Sequence, residues 1–93
     1  MPDEKIKRRL ARAKTRAAEI LQQTGYNTIV SDNNIFCVVG SRRKEVRFIR
    51  VVIDNITARD IETVKDFRTS GTKEIWCKQP NDSSFKIEEV SEL

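Results

Sequence analysis

The stretch that decides the fold is residues 35–53, IFCVVGSRRKEVRFIRVVI. It holds two apolar, β-branched runs, Ile35–Val39 and Glu45–Ile53, on either side of the polar segment Gly40–Lys44. Short β-branched runs joined by such a segment are typical of antiparallel hairpins. The first run is apolar at every position, which favours a strand that is covered on both faces. The sequence therefore predicts a buried antiparallel hairpin with its turn at Gly40–Lys44.

A long helix precedes this hairpin. It is predicted over Asp3 to Gln23, because apolar residues recur every three or four positions and form one buried stripe. Gly25 follows as a residue that can end the helix in the left-handed conformation. The predicted stripe consists of Ile6, Leu10, Ala13, Ala17, Ile20 and Leu21.

A second helix is predicted after the hairpin, over Ala58 to Thr69. Thr57 and Asp60 have the spacing of a capping box at its start, and Gly71 follows as its stop. Its inward-facing residues are predicted to be Ile61, Val64 and Phe67. The remaining predicted elements are strands at Tyr26–Val30, Lys73–Lys78 and Phe85–Val90, with polar turns at Ser31–Asn34 and Gln79–Asp82.

The resulting order is α-β-β-β-α-β-β. It predicts an α/β (α+β) fold with a mixed central sheet flanked by two helices. The second helix carries the chain across to a strand that can lie parallel to the third. A chain of 93 residues is expected to form a single domain over residues 1–93.

Composition excludes several classes of protein. With 38% hydrophobic residues, three Gly and two Pro, the chain is too apolar and too poor in helix and strand breakers to be disordered. Its longest uncharged apolar run, Ile35–Val39, is far below the roughly 20 residues that a membrane span needs. The charged N-terminus, MPDEKIKRRL, lacks the apolar stretch of a secretory signal. We therefore expect a soluble, cytoplasmic protein with no membrane partner.

The absence of histidine narrows the chemistry further. Ser-His-Asp triads, Cys-His pairs and Cys/His zinc sites are all excluded, because the sequence contains no His. Cys37 and Cys77 lie in apolar segments that are predicted strands, and we expect both to be small buried core residues. No metal ion or other cofactor is expected.

Charge is unevenly distributed along the chain. Residues 1–50 hold 12 Lys and Arg against 5 Asp and Glu, a net charge of +7, whereas residues 51–93 hold 6 against 9, a net charge of −3. Such asymmetry favours one basic surface that attracts a polyanion. Nucleic acid is the first candidate partner, with DNA in preference to RNA.

Two basic clusters supply the candidate nucleic-acid-binding residues. On the first helix the cations line up beside the apolar stripe, facing solvent, and no acid occurs between Lys5 and Ala18. Cations in register can follow a phosphate backbone, although many charged helix faces are only solvated and basic hairpin tips also protect sheet edges. Tyr26 and Trp76 are the aromatic candidates for stacking, too few for sequence-specific reading of single strands. The predicted binding residues are Lys5, Arg8, Arg9, Arg12 and Arg16 on the helix, and Arg42, Arg43 and Lys44 in the hairpin turn.

Four stretches carry a resemblance to a known family. They are ILQQTGY at residues 20–26, the hairpin at 35–53, the helix that starts after Ile56 and Thr57, and EIWCK at 74–78 with FKIEE at 85–89. With this order of elements, the chain resembles the PD-(D/E)XK nuclease superfamily, which has the restriction-endonuclease-like fold. Within it, the chain looks most like small archaeal Holliday-junction-resolvase-type proteins. The resemblance implies a DNA-directed function and, because such resolvases are usually dimers, a homodimer.

The catalytic signature that this resemblance implies is missing from the sequence. Members cleave phosphodiesters with an Asp at the start of the second strand and a Glu-x-Lys on the third, and the carboxylates hold Mg²⁺. Here Phe36 or Cys37 stands in place of the Asp. Arg50 stands in place of the Glu, and Val52 in place of the Lys. Where resolvases tend to carry a further acid on the first helix, the sequence offers Lys14, Thr15 or Arg16.

These substitutions predict a degenerate, catalytically inactive site. A guanidinium repels Mg²⁺ rather than binding it, and a Val side chain cannot activate water. Arg50 shares one face of its strand with Phe48 and Val52, in the middle of an apolar run. A half-buried Arg needs a carboxylate or a phosphate as its partner. Two interpretations remain open from the sequence: an internal ion pair with an acid such as Glu19 or Asp54, or a grip on a bound phosphate.

The sequence thus favours a catalytically inactive nuclease-fold protein that binds the nucleic-acid backbone through the first helix and the turn at residues 42–44. One alternative is a protein-interaction module, either a homodimer or a subunit of a larger complex. A second alternative is a Mg²⁺-dependent nuclease whose carboxylates have migrated to positions such as Asp32, Asp54 or Glu74.

Overall fold

The predicted helices and strands assemble into one mixed sheet with a helix on each face. A computed structural model describes residues 2–31, 35–80 and 84–91. The elements are α1 Pro2–Gln23, β1 Asn27–Val30, β2 Val38–Arg42, β3 Glu45–Ile53, α2 Ala58–Asp66, β4 Thr72–Lys78 and β5 Phe85–Glu89. The strands lie side by side in chain order; β3 and β4 are parallel and all other neighbours are antiparallel. The predicted fold class is confirmed, while most of the predicted turn at Ser31–Asn34 and the end of that at Gln79–Asp82 lie outside the described residues.

α1 packs on one face of the sheet, largely through alanines, which let the helix backbone approach the strands closely. Ile6, predicted to be buried, is instead 49% exposed, whereas Ala18, outside the predicted stripe, is buried. The buried face of α1 is therefore rotated toward Ala18. No helix among the described residues is long and apolar enough to cross a membrane. The buried cluster under α1 comprises Ala13, Ala17, Ala18, Leu21, Tyr26, Cys37, Val38, Ile49, Val51 and Trp76.

α1 ends as the sequence predicts, at Gly25. This residue has a φ of 93°, in the left-handed region. Its amide donates to the Gln22 carbonyl at 3.0 Å, and the Tyr26 amide donates to the Leu21 carbonyl at 3.0 Å. These two bonds form a Schellman motif, which turns the chain from α1 into β1.

The hairpin turn is shorter than the sequence predicts. β2 continues through Arg42, which pairs with Glu45, so that only Arg43 and Lys44 form the turn. Arg43 has a φ of 52°, in the left-handed region. Gly40 lies inside the strand because it faces α1, where an added Cβ would be 3.2 Å from Leu21 Cδ1. The glycine thus serves close helix–strand contact and not the turn.

The first strand of the hairpin also begins later than predicted, at Val38 instead of Ile35. Cys37 and Val38 both pack into the cluster under α1, although successive residues of a regular strand point to opposite faces. This break in alternation sends Phe36 to the other side of the sheet. Cys37 and Cys77 are both buried free thiols, as predicted, and burial raises the pKa of Cys77.

α2 covers the other face of the sheet and ends earlier than predicted, at Asp66 instead of Thr69. Phe67 has already left the helix, but its ring still packs on this face. Gly71 is not a helix stop: an added Cβ there would lie 2.7 Å from the Val46 carbonyl oxygen, so this glycine permits β4 to approach β3. The buried residues on this side are Phe36, Val64, Ile75 and Val90, with Ile35, Phe48, Val52, Ile56 and Ile61 packed against them.

A buried lysine attaches the C-terminal end of α2 to the sheet. Lys73, on β4, is only 3% exposed. Its Nζ donates to the Lys65 carbonyl at 3.1 Å and to the Phe67 carbonyl at 2.7 Å. The last carbonyls of a helix lack partners within the helix and carry partial negative charge, so a cation there is favourable.

Replacing Lys73 with Met is expected to lower the free energy of unfolding by about 1–3 kcal/mol, because the carbonyls at the end of α2 lose a charged donor. Urea titration followed by circular dichroism measures the change. Lys65→Met is the matched control, since the exposed Lys65 contributes only its backbone carbonyl to this contact. Equal stability of the two variants would contradict this account of Lys73.

Candidate functional site

Arg50 lies at the centre of the predicted degenerate site and has a carboxylate partner. Its Nε donates to Asp60 Oδ1 at 2.9 Å, and its Nη1 donates to the Ile35 carbonyl at 3.1 Å. The side chains of Arg50 and Asp60 are 20% and 12% exposed. Of the two interpretations open from the sequence, the structure supports the internal ion pair. The acid is Asp60 of α2, however, and neither Glu19 nor Asp54.

Asp60 is held by α2 as well as by Arg50. Its Oδ2 accepts from the Thr57 amide at 2.9 Å and from Thr57 Oγ1 at 2.9 Å, and the Asp60 amide donates to Thr57 Oγ1 at 3.1 Å, completing the predicted capping box. Burial by itself raises the pKa of Asp60. The hydrogen bonds from the Thr57 backbone and from Arg50 outweigh it, and the pKa stays below its ordinary value. Asp60 is therefore a carboxylate whose two oxygens are both occupied.

The structure brings three of the four degenerate positions to one face of the sheet. Phe36, Arg50 and Val52 all lie on the α2 side, whereas Cys37 lies in the cluster under α1. Phe36 packs against the rings of Phe48 and Phe67, with ring centroids 5.4 Å and 5.0 Å away. Aromatic rings and a paired guanidinium thus occupy the place where the resemblance implies metal ligands.

These residues do not fit a divalent cation. Mg²⁺ requires hard oxygen ligands, whereas Phe36 provides an aromatic ring, Val52 an aliphatic side chain and Arg50 a positive charge. Among the described residues, no group of three or more Asp, Glu or Cys side chains is arranged to hold a metal ion. That these positions correspond to the catalytic residues of nucleases stays a prediction.

The alternative acidic positions are far apart in the fold. Glu74 is paired in register with Ile49, whereas Asp54 follows the end of β3, five residues further along. At about 3.3 Å per residue the two carboxylates are roughly 16 Å apart, so they cannot share one ion. Asp32 lies outside the described residues.

The predicted basic face of α1 points away from the sheet. Lys5, Arg8, Arg12 and Arg16 are exposed. None of the hydrogen bonds and ion pairs formed among residues 2–31, 35–80 and 84–91 involves their side chains. Glu19 follows one turn after Arg16 on the same face, and it marks the end of the uninterrupted positive stretch.

Arg9 differs from Lys5, Arg8, Arg12 and Arg16. Its Nη2 donates to Asp54 Oδ1 at 2.6 Å and its Nη1 to Asp54 Oδ2 at 3.3 Å. The Arg9 guanidinium accordingly holds the pKa of Asp54 below its usual value. Asp54 directly follows β3 and has a φ of 69°, in the left-handed region. Its ion pair with Arg9 anchors the first half of α1 at the C-terminal end of β3. Arg9 thus has an intramolecular ion pair at the surface, and its role in nucleic-acid binding stays a prediction.

The second basic cluster divides in the same way. Arg42 lies on β2: its Nη1 donates to the Thr24 carbonyl at 2.8 Å, its Nη2 pairs with Glu45 at 3.3 Å, and its guanidinium lies 4.5 Å from the centre of the Tyr26 ring. Arg43 and Lys44 remain exposed at the hairpin tip. Through Arg42 the tip lies beside the C-terminal end of α1, so about 28 Å of helix separates it from Lys5.

A further charged pair, which the sequence did not indicate, joins two neighbouring strands near this tip: Arg47 on β3 and Glu74 on β4. Arg47 donates to both oxygens of Glu74, at 2.7 Å and 2.5 Å, and Trp76 Nε1 donates to the same carboxylate at 3.0 Å. Arg47 also lies over the Tyr26 ring. Burial alone raises the pKa of Glu74, but these donors lower it below its ordinary value. Arg47, Glu74 and Lys44 border an open cavity of about 570 Å³.

The two aromatic candidates for stacking are not available to a base. Trp76 is buried between the strands and α1, and it packs on Phe85 with 5.4 Å between ring centroids. Tyr26 is also buried, its face covered by guanidinium groups and its hydroxyl donating to Glu45 at 2.7 Å. The candidate interface of this protein is therefore purely ionic.

Two helices on opposite faces of this mixed sheet define a protein of the restriction-endonuclease-like fold. Among solved structures, the chain is similar to Hjc of Archaeoglobus fulgidus, a Holliday junction resolvase from an archaeal hyperthermophile, with a TM-score of 0.71. The match covers 88% of this chain and 73% of that chain, at 14% sequence identity. It therefore establishes the fold and not the activity. No protein-family model matches the sequence, and no curated protein matches it at a significant level.

Replacing Arg50 with Met is expected to lower the free energy of unfolding by about 1–3 kcal/mol, because Asp60 loses a charged donor in a mostly buried place. Since the pKa of folded Asp60 lies below its ordinary value of 3.8, the contribution is fully present above that pH. It is lost as the pH falls through the folded pKa. Urea titrations of both proteins at pH 7 and pH 3 measure this difference, which should shrink at the lower pH.

Proposed function

We propose that this protein binds DNA through the phosphate backbone, using the outward face of α1, and that it does not hydrolyse it. The observation that carries the proposal is the set of exposed cations, Lys5, Arg8, Arg12 and Arg16, whose side chains have no partner among the described residues. These cations form one face of α1 with no acid between Lys5 and Arg16, whereas Arg9 and Arg50 each pair with an acid.

The spacing of these cations suits a phosphate backbone. Lys5 and Arg16 are eleven residues apart, so the stretch is about 16 Å long at 1.5 Å per residue. One DNA strand presents a phosphate about every 3.4 Å along the duplex axis, and because the strand winds around that axis, a straight helix of this length meets only the few phosphates that face it. Arg43 and Lys44 lie beyond the C-terminal end of α1 and suit a second contact with the backbone.

Backbone contacts of this kind recognise shape and not sequence. The described residues place no exposed aromatic ring beside the cations, and an exposed Arg or Lys on a helix is free to follow phosphates of any sequence. We therefore expect binding to duplex and branched DNA with little dependence on base sequence. The similarity in fold to a Holliday junction resolvase supports testing branched DNA first.

The double variant Arg12→Gln, Arg16→Gln is expected to bind a four-way DNA junction about 10-fold more weakly or worse at low salt. The slope of log affinity against log salt concentration is expected to fall by about 1–2, because two phosphate contacts are lost. Fluorescence anisotropy across a salt series measures both quantities. The matched control is Arg59→Gln, Arg68→Gln, which removes the same charge from exposed residues on the α2 side. Absence of wild-type binding at about 50 mM salt, or equal losses in both variants, would refute the proposal.

No cleavage of junction, duplex or single-stranded DNA is expected with Mg²⁺ or Mn²⁺, because the part of the chain that the structure describes has no cluster of oxygen ligands. Gel analysis of end-labelled DNA provides the measurement. Metal-dependent cleavage that disappears in Asp54→Asn would show instead that the carboxylates have migrated and that the protein is a nuclease.

A second candidate function is an assembly module, favoured by the apolar side chains at the two edges of the sheet. Ile29 on β1 is 68% exposed and Ile87 on β5 is 51% exposed. Exposed apolar residues on edge strands are suited to pairing with another chain. This role is compatible with DNA binding, since both edges are distinct from the outward face of α1.

A further inference from the structure

Among residues 2–31, 35–80 and 84–91, no strand pairs with the outer edge of β5, which is the last strand of the sheet. The Val90 amide donates to the Lys73 carbonyl at 2.9 Å, and the Gln79 amide donates to the Ser84 carbonyl at the other end of the β4–β5 ladder. In an antiparallel ladder, hydrogen-bonded pairs alternate with pairs that are not hydrogen-bonded. From the register, Ile75–Glu88 and Cys77–Lys86 are the bonded pairs between those two ends. The amides and carbonyls of the other three residues of β5 consequently face outward: Phe85, Ile87 and Glu89.

The side chains of β5 are complementary to those of a second β5. In an antiparallel pair centred on Ile87, Phe85 lies opposite Glu89 of the other copy, and Ile87 lies opposite Ile87. The outward-facing backbone groups of the two strands then meet and can form hydrogen bonds. Lys86 then lies opposite Glu88 of the other copy, twice by symmetry. These pairs fall at the positions that are not hydrogen-bonded, where the Cα atoms approach to about 4.5 Å and side chains are closest. Opposite charges at such positions stabilise strand pairing.

Charge also selects this register over its neighbours. Only shifts by two residues keep the outward-facing groups opposite one another. A shift in one direction places Lys86 opposite Lys86, and a shift in the other places Glu88 opposite Glu88; like charges directly opposite each other destabilise a sheet. Charged residues commonly protect an edge strand from any partner. Here they disfavour both neighbouring registers and favour the register centred on Ile87.

From these observations we infer that β5 is a homodimer interface, at which two copies of this chain join their sheets by antiparallel β5–β5 pairing centred on Ile87. In this contact the exposed Ile87 side chain packs against Ile87 of the other copy. The two-fold axis runs perpendicular to the joined sheet, so both α1 helices lie on the same face of it. Five residues per copy bury less than the roughly 1,600 Å² of a standard interface. Dimerisation is therefore expected to be concentration-dependent.

The experiment uses charge reversal at exposed positions of the full chain, without nucleic acid. Sedimentation velocity of the wild type is expected to show a species of twice the 10.8 kDa chain mass as concentration rises. Lys86→Glu alone, and Glu88→Lys alone, are each expected to weaken the dimer about 10-fold or more, because two attractive contacts become repulsive. An equimolar mixture of the two variants is expected to form a heterodimer with affinity close to that of the wild type, since each charge again meets its opposite.

The control is Ile29→Lys, at the other edge of the sheet, which should leave the wild-type dimer unchanged. Circular dichroism of each variant verifies that the fold is retained. A wild type that stays monomeric up to about 1 mM would overturn the inference. So would single variants that dimerise normally, a mixture that fails to associate, or loss of the dimer in Ile29→Lys. The inference is independent of DNA binding, because the Arg12 and Arg16 variant is expected to dimerise normally.

Discussion

The ion pair between Arg50 and Asp60 is the contact on which the α2 side of the molecule depends. Parallel pairing of β3 with β4 requires a crossover, and α2 supplies it. Asp60 caps the first turn of α2 through Thr57 and binds Arg50 of β3 at the same time. Lys73 holds the other end of the helix. Two cations on the apolar α2 side of the sheet thus have partners at the two ends of α2: Arg50 binds Asp60 in the first turn, and Lys73 binds the carbonyls at the C-terminal end.

This arrangement has a direct consequence for chemistry. With Arg50 paired and Phe36 packed against Phe48 and Phe67, the face where the resemblance implies metal ligands is filled by aromatic rings and by a paired positive charge. Removing Arg50 would leave Asp60 without its charged donor, so the guanidinium has a structural role in this chain. The exposed cations of α1 lie on the opposite face of the sheet.

Local signals in the sequence predicted the elements well and their ends less well. The capping box at Thr57 and the glycine after α1 depend on neighbours within a few residues, and both are present. The predicted turn at Gly40–Lys44 was too long, because Gly40 is required by the close approach of Leu21 and not by a change of chain direction. Gly71 is likewise required by a close approach, because a Cβ there would collide with the Val46 carbonyl oxygen of β3.

The sequence by itself determined the order of elements, the basic face of α1 and the absence of an acid-x-Lys pattern from the third strand, because periodicity and residue type are visible in consecutive positions. Only the tertiary structure decided that Arg9 binds Asp54, 45 residues away, that Arg47 binds Glu74, 27 residues away, and that Lys5 and Arg12 remain exposed. It alone also decided which backbone groups of β5 face outward. These outcomes depend on strand register and on the path of the crossover, which set distances between residues far apart in the chain.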